Sequence, residues 1–493
     1  MKNLNLEFFK KITYCHFLTD WASNDFFYPP VFIWPKFNED IALENYLKTV
    51  GKNLSTPKYY IDLYFHFPLC RYKCYFCRQF SIACRKHIFY EKYLNLLIKE
   101  IRMWIHKMNL PSGRLAPDSI YLGGGTPTEF NLEKFFFEIK KFINFKKIKQ
   151  IDIESTLEPL KNPLKFSFLK ELKPNQRVRL TIGIQSFDQK VLKAINRYPF
   201  QKRIFGKVFR NIKSWNLGEV AFDLLAGLPK QSTESFLNDV QFLVQQKANL
   251  LHLNYFLNTP LTIWGSKHKT QIENKQEALK ALQIAEKFLQ ENNYKKTSYG
   301  SWRLKSQPQN LNVQIISPPF ALRKNFFKKN FAICVGPSGK GRLPDYHGQH
   351  EVQILNTCDL RKYEEKIENN QLPIEKIYKM NNSENKRRAV IRSLRYSLID
   401  KDLYKKVFGR NFELDFPKEI NFLKKTLGDK LKISDSLVTF EHFAGTLILG
   451  KIFYSPEVLK KCTELIKKRY KNCNFDLNFI PYIEDFNKII VNL

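Results

Sequence analysis

Three cysteines, Cys70, Cys74 and Cys77, stand at the spacing C-x-x-x-C-x-x-C directly after an apolar run, within residues 59–80, YYIDLYFHFPLCRYKCYFCRQF. Soft thiolates this close together in a loop suit iron–sulfur centres and zinc above other metals. Three of them can each hold one iron of a [4Fe–4S] cluster and leave the fourth iron open to chelate a substrate or cosubstrate, whereas a cluster that only carries electrons is usually closed by four cysteines. Zinc is the alternative, and it needs a fourth Cys or His at compatible spacing. Cys84 and His87 are the local candidates.

Such a loop must be held, and the surrounding pattern says by what. From residue 60 on, short β-branched or aromatic runs alternate with longer stretches of helical period. The pattern predicts strands over 60–67, 119–122, 150–155, 178–184, 219–225 and 250–257. The matching helices are expected over 87–108, 131–142, 164–172, 188–195, 232–245 and 275–292. Six such units predict an α/β fold, a parallel sheet with helices outside it, curled by right-handed crossovers into a partial (β/α)6 barrel. Functional side chains then belong at the C-terminal strand ends.

The expected organisation is an aromatic-rich N-terminal extension (1–55) that packs on the neighbouring domain, the barrel (56–300), a connecting region completing it (301–380), and a small, mostly helical C-terminal domain of winged-helix type (381–493). In the last of these, one short strand is expected over 430–439. Hydrophobic residues make up 43% and aromatic residues 15%, ample for buried cores. No apolar run approaches a membrane span, and the first residues lack a secretory pattern. Nine cysteines, three clustered and the rest scattered, do not form a secreted disulfide framework, and a cytoplasmic setting is expected. The formal charge of +34 is spread along the chain rather than gathered in an arginine-rich stripe, so nucleic acid is not the expected partner. The runs 323–331 and 385–392 remain candidates for contacting an anion.

Each expected strand end carries polar or glycine groups. GGGTPT (123–128) follows the second strand and could let a ligand approach backbone amides closely. IESTLEP carries Glu154, GIQSFDQKVLKAINR carries Gln185 and Arg197, and FDLLAGLPKQS carries Asp223. A buried amide or carboxylate after an apolar strand is costly without a partner, which favours function for Gln185 and Asp223. Glu154, with Asp152 and Glu158 nearby, could instead belong to a solvated face, and Arg197 could be a surface charge. His66 reads as a core residue or a neighbour of the site.

The cysteine spacing resembles the signature of the radical S-adenosylmethionine (SAM) enzymes, and with the later motifs in this order the chain resembles their oxygen-independent coproporphyrinogen III oxidase-like family. The resemblance covers residues 59–260 well and the remainder more loosely. It implies a [4Fe–4S] cluster on Cys70, Cys74 and Cys77, with SAM on the open iron. It also implies that Gly124, Gly125 and Thr126 contact the methionyl part of SAM and Glu154 its ammonium group. Arg197 would pair with the carboxylate, Gln185 and Asp223 with the ribose hydroxyls, and the main chain at Phe76 would lie against adenine. Tyr64 matches a tyrosine that neighbours the cluster. The implied chemistry is reductive cleavage of SAM to a 5′-deoxyadenosyl radical that abstracts hydrogen from a tetrapyrrole-like substrate. A one-electron donor such as flavodoxin or ferredoxin would serve as reductant.

The pattern also departs from that family. Its coproporphyrinogen oxidases place a further cysteine two residues after the third, where this chain has Gln79. That cysteine is no cluster ligand, so the departure bears on decarboxylation and leaves cluster binding intact. The histidine-containing motif of the haem-chaperone branch is not found in SYGSWRLKSQPQNLNVQ. CVGPSGKGRLPDY is compatible with the haem-utilisation branch that also transfers methyl groups. A C-methyltransferase and a noncatalytic haem-binding or haem-delivery protein therefore stay open beside the oxidase-like reading.

Overall fold

The computed structural model describes residues 28–37, 41–55, 60–110, 113–172, 177–197, 202–215, 217–256, 262–268, 275–298, 300–305, 330–344, 351–394, 398–440 and 450–469. The run 323–329, most of the N-terminal extension and the stretch 306–322 lie outside these residues.

Six parallel strands form the middle of the molecule: β1 (Tyr60–Phe67), β2 (Ser119–Gly124), β3 (Gln150–Ser155), β4 (Arg177–Gln185), β5 (Glu219–Ala226) and β6 (Leu250–Tyr255). They neighbour one another in chain order, as right-handed β/α units require. Beyond β6 lie two antiparallel strands, β7 (Tyr294–Ser298) and β8 (Ser301–Leu304), in the order β6-β8-β7. On the other side of β1, β9 (Asn330–Val335) adds in parallel, with Tyr60 opposite Asn330. It is followed by antiparallel β10 (Lys340–Pro344), β11 (Glu351–Asn356) and β12 (Ile374–Lys379).

Alternation along each strand sorts the side chains. Ile61, Leu63, Phe65 and Phe67 of β1 are buried on one face, as are Val178, Leu180, Ile182 and Ile184 of β4, and the outer helices cover them. Fully burying each such side chain contributes roughly 1.5–3 kcal/mol. The opposite face is polar. Ser119 donates to Asp62 and Gln150 to Asp152; Arg179 lies 3.8 Å from Asp152 and 2.9 Å from His252, whose other ring nitrogen meets Ser301 at 2.8 Å. Glu219 pairs with Arg303 at 2.6 Å. A buried charge this deep persists only when paired, which is what these neighbours supply.

Most helices start where expected. Asp188 and Ser232 are N-caps, each side chain accepting from the first turn, so the helices proper are Gln189–Ala194 and Thr233–Gln245. The helix expected over 164–172 is a 3-10 run, Pro163–Lys170, in a segment already broken by Pro159. A helix not expected, Lys202–Ser214, buries Phe205, Val208, Phe209 and Ile212 against the sheet. Within the N-terminal region, Ile41–Leu54 is a helix against His87–Met108, while Tyr28–Trp34 joins the core of the C-terminal helices rather than that of the barrel. The Tyr28 hydroxyl donates to Glu384 and accepts from the Ser455 amide.

The C-terminal part is helical with a three-stranded antiparallel sheet, in keeping with a winged-helix type. The single strand expected over 430–439 is a hairpin, Leu431–Ile433 and Leu437–Phe440, because Ser434 turns the chain and its amide donates to the Leu437 carbonyl. In the basic run 385–392, Arg387 is committed to Glu419 and Arg388 to Glu351, so these two cations hold the fold. No helix among the described residues is long and apolar enough to cross a membrane.

Candidate functional site

The C-terminal ends of β1–β5 open into a cavity of about 290 Å3. Cys70, Cys74 and Cys77 line it together with Phe76, Gly124, Gly125, Thr126, Glu154, Gln185, Arg197 and Asp223. Residues more than 150 positions apart in sequence thus share one wall. Tyr64 is not on that wall. It sits behind it, stacked on Tyr121 at 5.5 Å with its hydroxyl 3.0 Å from His66 Nδ1.

The cysteine loop is tied down on several sides. Leu69–Cys70 pairs in parallel with Ile82–Ala83, and the Cys84 amide donates to the Cys70 carbonyl at 2.7 Å. His66 Nε2 meets the Phe80 carbonyl at 2.7 Å. Burial pushes the His66 pKa down to about 4, so the ring is neutral and donates that bond through its Nε2–H. The Tyr75 amide donates to the Ile195 carbonyl and the Trp264 amide to the Tyr75 carbonyl.

Each cysteine sulfur meets one donor. The Thr126 hydroxyl lies 3.4 Å from Cys70, Arg197 Nη1 lies 3.3 Å from Cys74, and the Gln79 amide bonds Cys77. Burial pushes the Cys70 thiol up to about 12, with Cys77 adding to it, and Cys77 is raised by burial against the nearby Lys73 charge. Arg197 is therefore no surface charge. Asn196 in the left-handed region (φ 53°) turns it inward, where its other terminal nitrogen also donates to the Gly183 carbonyl.

Glu154 does not belong to a solvated face. One carboxylate oxygen accepts from the Tyr121 hydroxyl and the other from the Gly124 amide at 3.3 Å, and burial raises its pKa. The Gly125 amide donates to Phe67 and the Thr126 amide to Leu69, because pairing between β1 and β2 continues past the strand ends. The Gly124, Gly125 and Thr126 amides are thus committed, and what this stretch offers a ligand is its carbonyl groups. Gln185 ends β4 at a bulge with φ 73°, and its Oε1 is buried without a hydrogen-bond partner among the described residues. Asp223 faces the same space. Burial raises its pKa to about 7, the Glu154 charge adding and Arg179 and Arg197 opposing.

Sequence reasoning missed Tyr121, Thr181 and Gly183. Thr181 and Gly183 line the cavity four and two residues before Gln185, and Tyr121 lies two before Gly123, so the period of two was the available signal. A Cβ on Gly183 would stand 2.9 Å from Gln185 Nε2, so glycine is what lets Gln185 and Arg197 approach there. The glycine-rich turn after β9 is fixed from outside the cavity: Glu100, its pKa raised to about 7 by burial, accepts from the Gly336 amide, Asn356 and Tyr363.

Among the described residues no three His, Cys, Asp or Glu side chains are set to hold a single metal ion. The three cysteines instead surround a space, which fits a cluster whose several irons each take one thiolate. The orphaned Gln185 acceptor and the Asp223 carboxyl fit a polar cosubstrate beside it.

A model of the radical SAM superfamily matches residues 64–243, the part of the chain that carries the three cysteines and the strand ends around them; the cofactors of that superfamily are a [4Fe–4S] cluster and SAM. The chain is similar to curated relatives that include oxygen-independent coproporphyrinogen III oxidases and heme chaperones. It is 28% identical over 408 residues to the "Oxygen-independent coproporphyrinogen III oxidase" of Helicobacter pylori, covering 79% of this chain and 84% of that one. It is 29% identical over 304 residues to the "Heme chaperone HemW" of Buchnera aphidicola, covering 60% and 74%. The structure of the coproporphyrinogen III oxidase (HemN) from Escherichia coli shares the fold, with a TM-score of 0.70 at 20% identity over 88% of this chain and 96% of that one.

Proposed function

We propose that this radical SAM protein acts on a tetrapyrrole-like substrate by hydrogen abstraction, in the manner of the oxidases it resembles. The observation that carries the reading is the shared cavity, where the three cysteines meet the side chains at the ends of β2–β5. When bound, the cluster and SAM supply one-electron reductive cleavage of SAM and a 5′-deoxyadenosyl radical. Cys70, Cys74 and Cys77 hold the cluster, and the Thr126, Arg197 and Gln79 donors stabilise the thiolate form of each. Glu154, already fixed by Tyr121 and Gly124, presents a carboxylate to the SAM ammonium, with the Gly124 and Gly125 carbonyls beside it. Gln185 and Asp223 take the ribose hydroxyls, which satisfies the orphaned amide oxygen. Arg197, which lines the cavity beside Cys74, supplies the positive charge for the SAM carboxylate, and Phe76 flanks the adenine. A cytoplasmic, reducing setting suits the free cysteines Cys70, Cys74 and Cys77.

Gln79 favours one further reading. It lines the cavity where the oxidases carry a cysteine, and a relative of similar identity is a heme chaperone, so haem binding without decarboxylation is the second candidate. Anaerobic reconstitution followed by product analysis separates the two. The proposal expects 5′-deoxyadenosine in the presence of reductant and conversion of coproporphyrinogen III or a related tetrapyrrole. An assembled cluster that cleaves no SAM while the protein binds haem would replace it with the chaperone reading.

A further inference from the structure

The surface behind the cysteine loop is basic and apolar together. Between Asp62 and Glu91 the sequence contains no acidic residue, while Arg71, Lys73, Arg78, Arg85 and Lys86 fall within it. Ile82, Ile88 and Phe89 are exposed to 46%, 73% and 41%, three large apolar side chains within eight residues. Arg85 rests on the Tyr72 ring at 4.7 Å, and neither Arg85 nor Lys86 makes an ion pair among the described residues. Arg71 is half-exposed, with Glu158 at 4.0 Å. This strip is also joined to the first cluster cysteine through main chain, since Ile82–Ala83 pairs with Leu69–Cys70 and the Cys84 amide bonds the Cys70 carbonyl.

Exposed apolar side chains interleaved in sequence with cations suit a small, short-lived interface with an acidic protein, steered by charge. We propose that residues 82–89, with Arg71, form the docking surface for an acidic one-electron carrier protein, an inference that rests on the radical SAM reading. The interface serves a single-electron transfer: the carrier is oxidised by one electron, the cofactor is reduced by one, and no bond is made or broken. The apolar side chains exclude water at the contact, and the cations orient the carrier's acidic face toward the loop that holds Cys70.

The test uses flavodoxin as the carrier, the full-length reconstituted protein, and two variants, the double charge reversal Arg85→Glu/Lys86→Glu and Ile88→Ser. Lys86 precedes the helix His87–Met108, where negative charge is favourable, so the reversal keeps the fold. Flavodoxin binding to the wild type is expected to weaken steeply with salt, and the double reversal is expected to lower the association rate by about tenfold or more. Ile88→Ser is expected to shorten the lifetime of the complex. Iron and sulfide content, and SAM cleavage driven by dithionite, should stay at wild-type values in both variants. Unchanged flavodoxin binding and unchanged flavodoxin-driven reduction would overturn the docking surface and leave the functional reading standing. Equal, competing binding of double-stranded DNA at the same salt would reassign the strip to nucleic acid. A wild type that assembles no cluster would overturn both readings.

Discussion

Asp223 stands in a cavity wall with its pKa raised from the ordinary 3.8 to about 7. Between those values the folded chain holds a proton on this carboxyl that the unfolded chain has released, so this group's contribution to stability falls as pH rises through the window. Above about pH 7 both states are ionised and the loss is complete. At about 1.4 kcal/mol per pH unit the full loss corresponds to up to about 4 kcal/mol. The cavity is open to solvent, which screens the charge, and about 1–3 kcal/mol is the expected effect. Asp223→Asn removes the ionisation and keeps the shape. The apo variant should therefore match the wild type in thermal stability near pH 4, gain over it through pH 4 to 7, and stay a few degrees higher above that. SAM binding, followed by equilibrium dialysis, should weaken in the same variant because an amide is a poorer acceptor for two hydroxyls than a carboxylate. A variant less stable than the wild type at pH 8, or one whose gain does not grow with pH, would refute the buried-charge argument. Unchanged SAM affinity would instead remove Asp223 from the ribose contact.

Four further substitutions test other parts of the structure. A Cβ on Gly125 would lie 2.4 Å from the Leu69 carbonyl oxygen and 2.8 Å from that of Phe67, main chain that leads into Cys70, so Gly125→Ala should cost about 1–3 kcal/mol and lower iron and sulfide content. Gly206→Ala, in the helix Lys202–Ser214 with its nearest neighbour at 3.9 Å, should instead raise stability by roughly 0.5–1 kcal/mol in denaturant melts. Thr126→Val removes the hydroxyl at 3.4 Å from Cys70 and should make the cluster harder to reduce, read as a more negative midpoint potential at unchanged iron content. Tyr28→Phe takes a donor from buried Glu384 and an acceptor from the Ser455 amide, and should destabilise the chain by about 1–3 kcal/mol in the same melts.

The parts of this molecule that the sequence reveals are those whose physics is local. The strand Tyr60–Phe67, the helix His87–Met108 and the strand Gln150–Ser155 coincide with their expected bounds, since alternation and helical period are written in adjacent residues. The helix Lys202–Ser214 was legible too, with Phe205, Val208, Phe209 and Ile212 at helical spacing, but Gly206 and five cations obscure the stripe. Long-range pairing left no such trace. Nothing near Asn330 announces that it lies beside Tyr60, and the donors on the cysteine sulfurs come from Thr126, 56 residues beyond Cys70, and Arg197, 123 beyond Cys74. The site residues named by motif, Tyr64 apart, share the cavity, but the commitments of their atoms were not legible. That the Gly125 and Thr126 amides are spent on Phe67 and Leu69 follows from sheet register, which one chain's sequence does not state.

The interior of the sheet shows why the site lies where it does. At one end of the strands, inward positions carry side chains that answer each other within a strand or across the interior: Ser119 with Asp62, Gln150 with Asp152, Arg179 with His252, Arg303 with Glu219. At the C-terminal end the same inward registers of β2 and β4 reach Gly123 and Gly183, and the side chains that would fill the space are gone. Past that point Gln185 Oε1 has no partner among the described residues and Asp223 holds a raised pKa. The Gln185 acceptor and the Asp223 carboxyl face a cavity rather than a neighbouring strand, which fits a polar ligand at that end. The three cysteines close that end. Because each sulfur already has its own donor, filling the site requires loss of the thiol protons and little rearrangement of the wall.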